Sequence, residues 1–308
     1  MQHSQIDALV KQMNVDTVTG EVNSRVQEIV LRLLGDLFKA IEDLDINQTE
    51  LWKGLEYITD LGQANEVGLL AAGLGLEHFL DLRADEADQK AGLDLSKATP
   101  RTIEGPLYVA GAPESVGFAR MDDPNDDNEM PTLIIEGVVT DTDGNVVPNA
   151  KVEMWHANDM GMYSHFDKAQ APFNLRRTIF TDENGKYVAQ TKMPVGYGCP
   201  PEGPTQGLLD LLGRHGNRPS HVHYFVSAPG FRKLTTQFNI EGDQYLWDDF
   251  AFATREGLVA TAVDKNDEAS IKQYNLDAPF KHIDFDFKLV KDVDNAPNTV
   301  VERRRASA

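Results

Sequence analysis

The clearest hydrophobic periodicity in the chain predicts a helix from about Ser24 to Leu44. Apolar residues recur there every three or four positions and form one wide apolar face, which in a folded protein packs against a partner. They are Val26, Ile29, Val30, Leu33, Leu34, Leu37, Phe38, Ile41 and Leu44. Thr49 is predicted as the N-cap of a second helix. Because the pattern stays helical to about residue 98, we expect residues 1–98 to form a helical N-terminal domain that makes a homodimer.

The pattern changes near Pro100, where glycines and prolines begin to separate short runs of β type. Many short strands between turn signals indicate a β-sandwich or a barrel. The predicted strands are Thr132–Val139, Ala150–Trp155, Thr178–Asp182, Lys186–Thr191, His221–Ser227, Leu234–Ile240 and Ile283–Val290. The turn at residues 141–144 and the proline that follows it are typical of a prealbumin-like sandwich. We therefore predict a sandwich domain over residues 99–308, with a loose tail after Asp294.

Composition narrows the functional classes. The formal net charge of -20 leaves no basic footprint for nucleic acid or for an anionic membrane surface. The single cysteine, Cys199, excludes an internal disulfide and a thiolate metal cage. No apolar stretch reaches the roughly 18 residues of a membrane span, and the N-terminus lacks a secretory pattern, so we expect a cytoplasmic enzyme or binding protein.

His221 and His223 are the first candidate metal ligands. They flank Val222 in a predicted strand, where residues two apart face the same side. Two imidazoles on one face can bind a metal, although a bare pair of this kind can also face solvent. No carboxylate lies at a short spacing from the pair, which disfavours a zinc hydrolase.

Tyr163 and Tyr197 lie in segments rich in glycine or proline and are candidate partners for these histidines. A phenol ionises near pH 10, so its binding as phenolate at neutral pH needs a hard cation such as Fe(III). The sequence alone does not bring the tyrosines to the histidines, because most tyrosines simply pack.

Three long segments resemble the intradiol ring-cleaving dioxygenases: residues 141–167, 173–187 and 196–230. Residues 61–83 and 99–115 extend the similarity over nearly the whole chain. The resemblance implies an antiparallel β-sandwich that holds one Fe(III) per subunit, and N-terminal helices that form a dimer with a phospholipid in its interface. It also implies the cleavage of catechol by O2 to cis,cis-muconate in aromatic catabolism, through the β-ketoadipate pathway.

The resemblance also assigns roles to residues. It implies Tyr163 and His223 as equatorial iron ligands, and Tyr197 and His221 as axial ligands. Arg218 and Gln237 match active-site positions, although without the resemblance Arg218 would be taken for a surface arginine. The implied substrate-binding wall, for which ordinary core packing is the alternative, consists of Leu69, Ala72, Ile103, Pro106, Leu107, Tyr108, Phe250 and Ala251.

Two alternatives stay open at the level of sequence. The first is a related enzyme that prefers chlorocatechol or hydroxyquinol. The second is a prealbumin-like sandwich without catalytic activity, which serves as a binding module and carries the histidine pair incidentally.

Overall fold

The computed structural model describes residues 1–14, 22–126 and 128–306. Part of the predicted helical region, residues 15–21, therefore lies outside the described residues. The chain divides into two compact units, Met1–Ala64 and Asn65–Ala308. The predicted domain boundary near residue 98 stays a prediction. In the described part of the chain, no helix has both the length and the apolar character needed to span a membrane.

The first unit is helical. Its helices are α1 (His3–Met13), α2 (Ser24–Asp43) and α3 (Gln48–Gln63). The helix predicted from Ser24 is confirmed, and much of its apolar face is exposed in the single chain; Leu33, for example, is 63% exposed.

The predicted N-cap at Thr49 is wrong, because α3 begins at Gln48 with Asn47 as its cap. The Asn47 side chain accepts a hydrogen bond from the Glu50 amide at 3.1 Å. The Glu50 carboxylate accepts one from the Asn47 amide at 2.9 Å in return. This reciprocal pair satisfies two amides at once. Thr49 has Trp52 three positions later, which cannot return the bond.

The second unit begins with α4 (Val67–Gly73) and α5 (Leu76–Lys90). Gly75 separates these helices with a φ of 75°, a left-handed conformation that glycine adopts without steric cost. Two short helices follow later in the chain, α6 (Pro204–Leu211) and α7 (Glu268–Gln273).

The strands of the second unit are short, as predicted. In chain order they are β1 (Glu114–Val116), β2 (Phe118–Arg120), β3 (Thr132–Asp141), β4 (Lys151–Trp155), β5 (Arg176–Phe180), β6 (Lys186–Lys192), β7 (Tyr197–Gly198), β8 (Asn217–Arg218), β9 (His221–Ser227), β10 (Leu234–Ile240), β11 (Val259–Ala260), β12 (Val263–Lys265), β13 (Phe280–Asp284) and β14 (Phe287–Leu289).

Among the described residues, these strands form two larger sheets and a small ladder. One sheet has the order β1-β5-β4-β9-β10-β11, and the other has the order β12-β13-β3-β6-β2 with β14 also paired to β3. The central pairs of the first sheet are antiparallel, whereas its edge pairs are parallel. The predicted sandwich is confirmed, with mixed sheets.

The sandwich core lies between the two larger sheets. From β9 it takes Val222, Tyr224 and Val226, which are completely buried. The intervening residues of β9 point to the opposite face, because side chains alternate along a strand. That outer face therefore carries His221, His223 and Phe225, and this places the candidate ligands outside the core.

The strand predicted over Ile283–Val290 is split into β13 and β14. The break lies at Phe285 and Asp286, opposite Gly137 of β3. A Cβ on Gly137 would lie only 1.9 Å from the Phe285 carbonyl oxygen. The Asp286 side chain accepts a hydrogen bond from the Val138 amide at 2.8 Å, in place of a regular ladder bond. The backbone therefore bends here, which the period-two pattern does not reveal.

The prediction of a loose tail after Asp294 is wrong for its last described residues. Arg303 pairs with Glu77 and Arg305 pairs with Glu104, at 2.9 and 2.8 Å. Ala306 forms a parallel bridge with Val109. These contacts join positions about 200 residues apart, so local sequence patterns do not show them.

Candidate metal centre

Three neighbouring strands build the floor of the site. Trp155 of β4 and Gln237 of β10 both lie opposite His223 of β9 in register. The three side chains thus form one row across the outer face of the sheet. His221 and His223 are 1% and 2% exposed, so this face is covered.

Tyr197 and Arg218 reach the site together. They are Cα partners in the antiparallel ladder of β7 and β8. Arg218 lies three residues before His221, so this ladder delivers both groups to the end of β9. Gly196 precedes Tyr197, and a Cβ there would lie 2.7 Å from the Arg218 carbonyl oxygen, so glycine allows the two strands to approach.

Tyr163 comes from the loop between β4 and β5, and Gly161 lets this loop approach Tyr197. Gly161 has a φ of 74°. A Cβ there would lie 2.5 Å from the Tyr197 Cβ, closer than side-chain atoms approach one another. Glycine is thus required both by the backbone conformation and by the close approach.

Four donor atoms converge at the centre. The Tyr163 and Tyr197 hydroxyl oxygens are 3.3 Å apart, and they lie 3.4 and 3.5 Å from His221 Nε2. His221 Nε2 lies 3.1 Å from His223 Nε2. The structure therefore brings together all four metal ligands that the family resemblance implies.

Both histidines are held neutral. Burial lowers the pKa of His221 well below its ordinary value, and the nearby Arg218 lowers it further. Burial also lowers the pKa of His223, together with the neighbouring His221. His221 Nδ1 lies 2.6 Å from the Pro219 carbonyl, which can only accept, so the proton is on Nδ1. Its Nε2 is therefore the unprotonated nitrogen, which can accept a hydrogen bond or bind a metal.

The two tyrosines differ in their surroundings. Tyr163 is 2% exposed, and burial raises its pKa well above 10, with a further rise from Tyr197. Tyr197 is half-buried. The Tyr163 phenol thus stays neutral unless a cation stabilises the phenolate.

Arg218 is buried at the edge of the donor set, 4% exposed. Its Nη1 lies 2.9 Å from His221 Nε2, and its Nη2 donates to Gln237 Oε1 at 2.8 Å. Asp249 accepts hydrogen bonds from Arg218 Nε at 3.2 Å and from Nη2 at 3.1 Å. Burial alone would lower the pKa of Arg218, but the Asp249 carboxylate raises it above its ordinary value.

The predicted wall residues fall into two clusters, with Pro106 beside the first. Leu69, Ala72, Ile103, Phe250 and Ala251 pack together in one apolar cluster. Leu107 and Tyr108 pack in a second cluster, which also contains Tyr163 and Tyr197. Pro106 lies against Gly68, where an added Cβ would be 3.1 Å from the Pro106 Cβ.

Three further residues around the donor set were not predicted to act there. Trp155 stacks on His223 with ring centroids 5.0 Å apart. Asp249 pairs with Arg218. Arg176 lies over the Tyr163 ring, 5.7 Å from its centroid, and its Nη1 has no hydrogen-bond partner among the described residues. Each of the three contacts a residue distant in sequence, so no spacing pattern connects it with the donor set.

Another group with metal-ligating atoms lies on the second sheet. Glu136, His282 and Asp284 have one ligand atom each within 4.8 Å of the others. However, Lys186 Nζ lies 2.7 Å from Glu136, and Tyr274 donates to the same carboxylate at 2.8 Å. The Glu136 carboxylate is thus already paired with Lys186 and Tyr274, and His282 Nε2 lies 3.2 Å from it as well, so the cluster is interpreted as an ion-pair and hydrogen-bond network.

Family models identify the chain. Residues 103–291 match the family described as dioxygenase, and residues 23–92 match the family described as catechol dioxygenase N terminus. The chain therefore belongs to the catechol dioxygenases, which are intradiol, non-haem iron enzymes. The predicted family and the predicted enzyme class are confirmed.

Individual relatives agree with this assignment. The chain is 75% identical over 297 residues to catechol 1,2-dioxygenase of Acinetobacter guillouiae, covering 96% of this chain and 97% of that protein. It is 59% identical to the enzyme of the same name from Acinetobacter baylyi, over 92% and 91% of the two chains. The crystal structure of wild-type Acinetobacter radioresistens catechol 1,2 dioxygenase superimposes with a TM-score of 0.97 at 73% identity, covering 100% of this chain and 99% of that chain.

Relatives named for the alternative substrates are more distant. A hydroxyquinol 1,2-dioxygenase from a Rhizobium strain is 30% identical over 92% of this chain and 96% of that protein. A chlorocatechol 1,2-dioxygenase from Pseudomonas putida is 32% identical over 77% and 87%.

Proposed function

We propose that this protein is a catechol 1,2-dioxygenase that cleaves catechol between its two hydroxyl-bearing carbons. Catechol and O2 would give cis,cis-muconate, and both oxygen atoms of O2 would enter the product, so no external reductant is needed. The observation that carries the proposal is a buried cluster of two phenol oxygens and two imidazole nitrogens. His221 Nε2 lies 3.1 to 3.5 Å from the other three atoms, and the two phenol oxygens are 3.3 Å apart.

The donor set fits a single Fe(III). Tyr163, Tyr197, His221 and His223 would hold it, and two phenolates plus a hydroxide would balance its three positive charges. Thiolates are absent from the set and the imidazoles are neutral, which suits a hard cation better than a soft one. Bound there, the iron would supply the Lewis acidity that lets the phenols and the catechol ionise at neutral pH.

The two tyrosines would have different tasks. Tyr163 is almost completely buried and packs edge-on against Tyr197, so its oxygen is fixed. Tyr197 is half-buried on a strand of only two residues. We therefore assign Tyr197 as the group that accepts a proton from an incoming catechol hydroxyl at its Oη.

Arg218 and Gln237 would act on the substrate ring. The guanidinium is charged at every pH of interest, and Asp249 and Gln237 hold its plane in place. A fixed positive charge beside the ring stabilises negative charge that develops there during the reaction. Gln237 would serve to aim the guanidinium.

The sequence comparisons favour catechol over substituted catechols as the substrate. The relative named for plain catechol is 75% identical, whereas those named for hydroxyquinol and chlorocatechol are 30% and 32% identical. The substrate wall would be formed by the cluster of Leu69, Ala72, Ile103, Phe250 and Ala251, together with Pro106, Leu107 and Tyr108.

The test is the formation of muconate from catechol, followed in the ultraviolet, alongside analysis of the purified protein for iron. The loaded protein should be wine-red, because phenolate-to-iron charge transfer absorbs visible light. His221→Ala and His223→Ala should each lose iron and activity. His165→Ala is the control, since the His165 ring contacts Phe173. A colourless, iron-free protein that still forms muconate would overturn the proposal.

We also infer a cytoplasmic homodimer in aromatic catabolism, as part of the β-ketoadipate pathway. The exposed apolar face of α2 supports association through the N-terminal helices. A phospholipid held at that interface is part of the same inference. Sedimentation of the purified protein would test the homodimer, and extraction of bound lipid would test the phospholipid.

A further inference from the structure

Residues 103–109, called the wall segment here, have an irregular backbone beside the candidate metal centre. The wall segment contains Ile103, Pro106, Leu107 and Tyr108 of the predicted substrate wall. Its backbone also reaches a candidate ligand: a Cβ on Gly105 would lie 3.6 Å from His223 Cε1. Residues 103–108 belong to no helix or strand, and Val109 forms the bridge with Ala306, so side-chain contacts help to hold the segment in position.

One such contact comes from the end of the chain. Arg305 Nε and Nη2 donate to the two carboxylate oxygens of Glu104 at 2.8 and 2.9 Å. The pair is bidentate, and Glu104 is only 9% exposed. A fork of this kind fixes both the distance and the angle between its partners.

A second contact acts through Glu77 of α5. Arg303 Nη1 donates to one Glu77 oxygen at 2.9 Å. The other Glu77 oxygen accepts a hydrogen bond from the Gly105 amide at 3.1 Å. Arg303 thereby orients the carboxylate that holds the residue next to His223.

Arg305 also covers the aromatic part of the wall segment. Its guanidinium carbon lies 5.7 Å from the Tyr108 ring centroid and 5.8 Å from that of Phe225. Tyr108 packs on Trp155, which in turn stacks on His223. A continuous line of contacts therefore joins the end of the chain to a candidate metal ligand.

We propose that Arg303 and Arg305 are positioning residues of the active site, which hold the wall segment against His223 and so set the affinity for catechol. The proposal rests on the proposed function. The two arginines act on the wall segment through Glu77 and Glu104, and Arg305 also lies over the Tyr108 ring. Losing Arg305 would leave the Glu104 carboxylate nearly buried and uncompensated, so that the wall segment would shift to hydrate it.

The experiment compares Arg305→Gln, Glu104→Gln and the double variant with the wild type. Arg304→Gln is the matched control, because it removes the same charge from the neighbouring exposed residue. The readouts are KM and kcat for catechol, the ratio of turnover of 4-methylcatechol to catechol, iron content, and hydrogen exchange of the amides of residues 103–109.

We expect Arg305→Gln and Glu104→Gln each to raise KM about three- to tenfold, with a smaller change in kcat and with iron retained. The double variant should be no worse than either single variant, because both remove the same contact. The turnover ratio should shift, and exchange in residues 103–109 should become faster. Arg303→Gln should raise the exchange rate of the Gly105 amide in particular.

Arg305→Gln kinetics equal to those of Arg304→Gln would overturn the proposal. Additive effects of the two single variants, or a lower melting temperature without a change in KM, would do so as well. A wild-type protein that forms no muconate would instead refute the proposed function. In that case, the exchange rates of residues 103–109 still decide whether the arginines hold the wall segment.

Discussion

The indole of Trp155 lies parallel to the imidazole of His223, with planes inclined by 4° and ring centroids 5.0 Å apart. Trp155 is 1% exposed, and its Nε1 has no hydrogen-bond partner among the described residues. The indole therefore places a flat surface against a candidate ligand.

Trp155→Phe should therefore affect iron binding more than stability. Phenylalanine removes the unsatisfied N–H but leaves a gap beside His223, and we expect stability to change by no more than about 2 kcal/mol. The imidazole loses its flat support, so iron content after dialysis against a chelator should fall several-fold. Trp247→Phe is the control, since Trp247 is 65% exposed. Equal iron retention in the two variants would contradict this role.

Asp249→Asn should reduce catalysis strongly. The change removes the charge that fixes the Arg218 guanidinium but keeps the shape of the side chain. Groups that position a transition-state charge are worth roughly 10- to 1,000-fold in rate, and we expect a loss of about 100-fold in kcat/KM. The loss should lie mainly in kcat.

Asp248→Asn controls for this prediction, because the adjacent Asp248 side chain is 80% exposed and lies 3.0 Å from His215 Nε2. Asp249→Glu should recover part of the activity by restoring the charge. If steady-state kinetics of Asp249→Asn match those of Asp248→Asn, the carboxylate does not orient Arg218.

His156 makes the protein less stable in acid. Burial lowers the pKa of His156 to about 4, and both of its ring nitrogens have neutral partners, Ala157 and Thr191. In the unfolded chain the pKa of a histidine is about 6.5. The unfolded state thus binds the proton more tightly, and the free energy of unfolding should decrease as the pH falls from about 6.5 to about 4.

The size of this effect follows from the pKa difference. Each unit corresponds to about 1.4 kcal/mol, so about 2 kcal/mol should be lost from His156 between pH 7 and pH 5. In urea unfolding, the stability difference between the wild type and His156→Gln should shrink by that amount over this range. A stability difference that stays constant between pH 7 and pH 5 would exclude a buried neutral imidazole at position 156.

Gly161→Ala should damage the site beyond its effect on the backbone. A left-handed φ costs an alanine about 1 kcal/mol. Gly213→Ala measures that cost alone, because Gly213 has a φ of 67° and open space around its Cβ position. The alanine at position 161 meets Tyr197 in addition and should displace the phenol, which lowers kcat/KM at least tenfold. Steady-state kinetics and urea unfolding of both variants check this, and equal activity would show that Tyr197 does not depend on the close approach.

The sequence predicts what depends on local patterns. The bounds of β9 are correct, since apolar residues alternate with histidines between turn signals, and the same alternation separates the core face from the ligand face. The strands β13 and β14 were predicted as one, because the bend opposite Gly137 depends on a carbonyl from another part of the fold. Period-two patterns cannot register such an approach.

The candidate site was predictable to different degrees. Strand geometry places His221 and His223 on the same side of β9. The proximity of Tyr163 to Tyr197, in contrast, depends on a loop that folds back onto a two-residue strand. The ion pair of Arg305 with Glu104 joins two charged residues 201 positions apart, neither of which belongs to a recognisable motif. No spacing rule connects such residues, and only the folded structure shows them together.

Strand β9 couples the formation of the hydrophobic core to the formation of the metal centre. Shifting it by one residue would carry His221 and His223 into the sandwich core and push Val222 and Tyr224 out of it. A molecule with such a misfolded strand could assemble neither a stable core nor a set of metal donors. Metal content thus reports on the hydrophobic packing as well. A mutation on either face of this strand is therefore expected to affect both the stability of the core and the binding of metal.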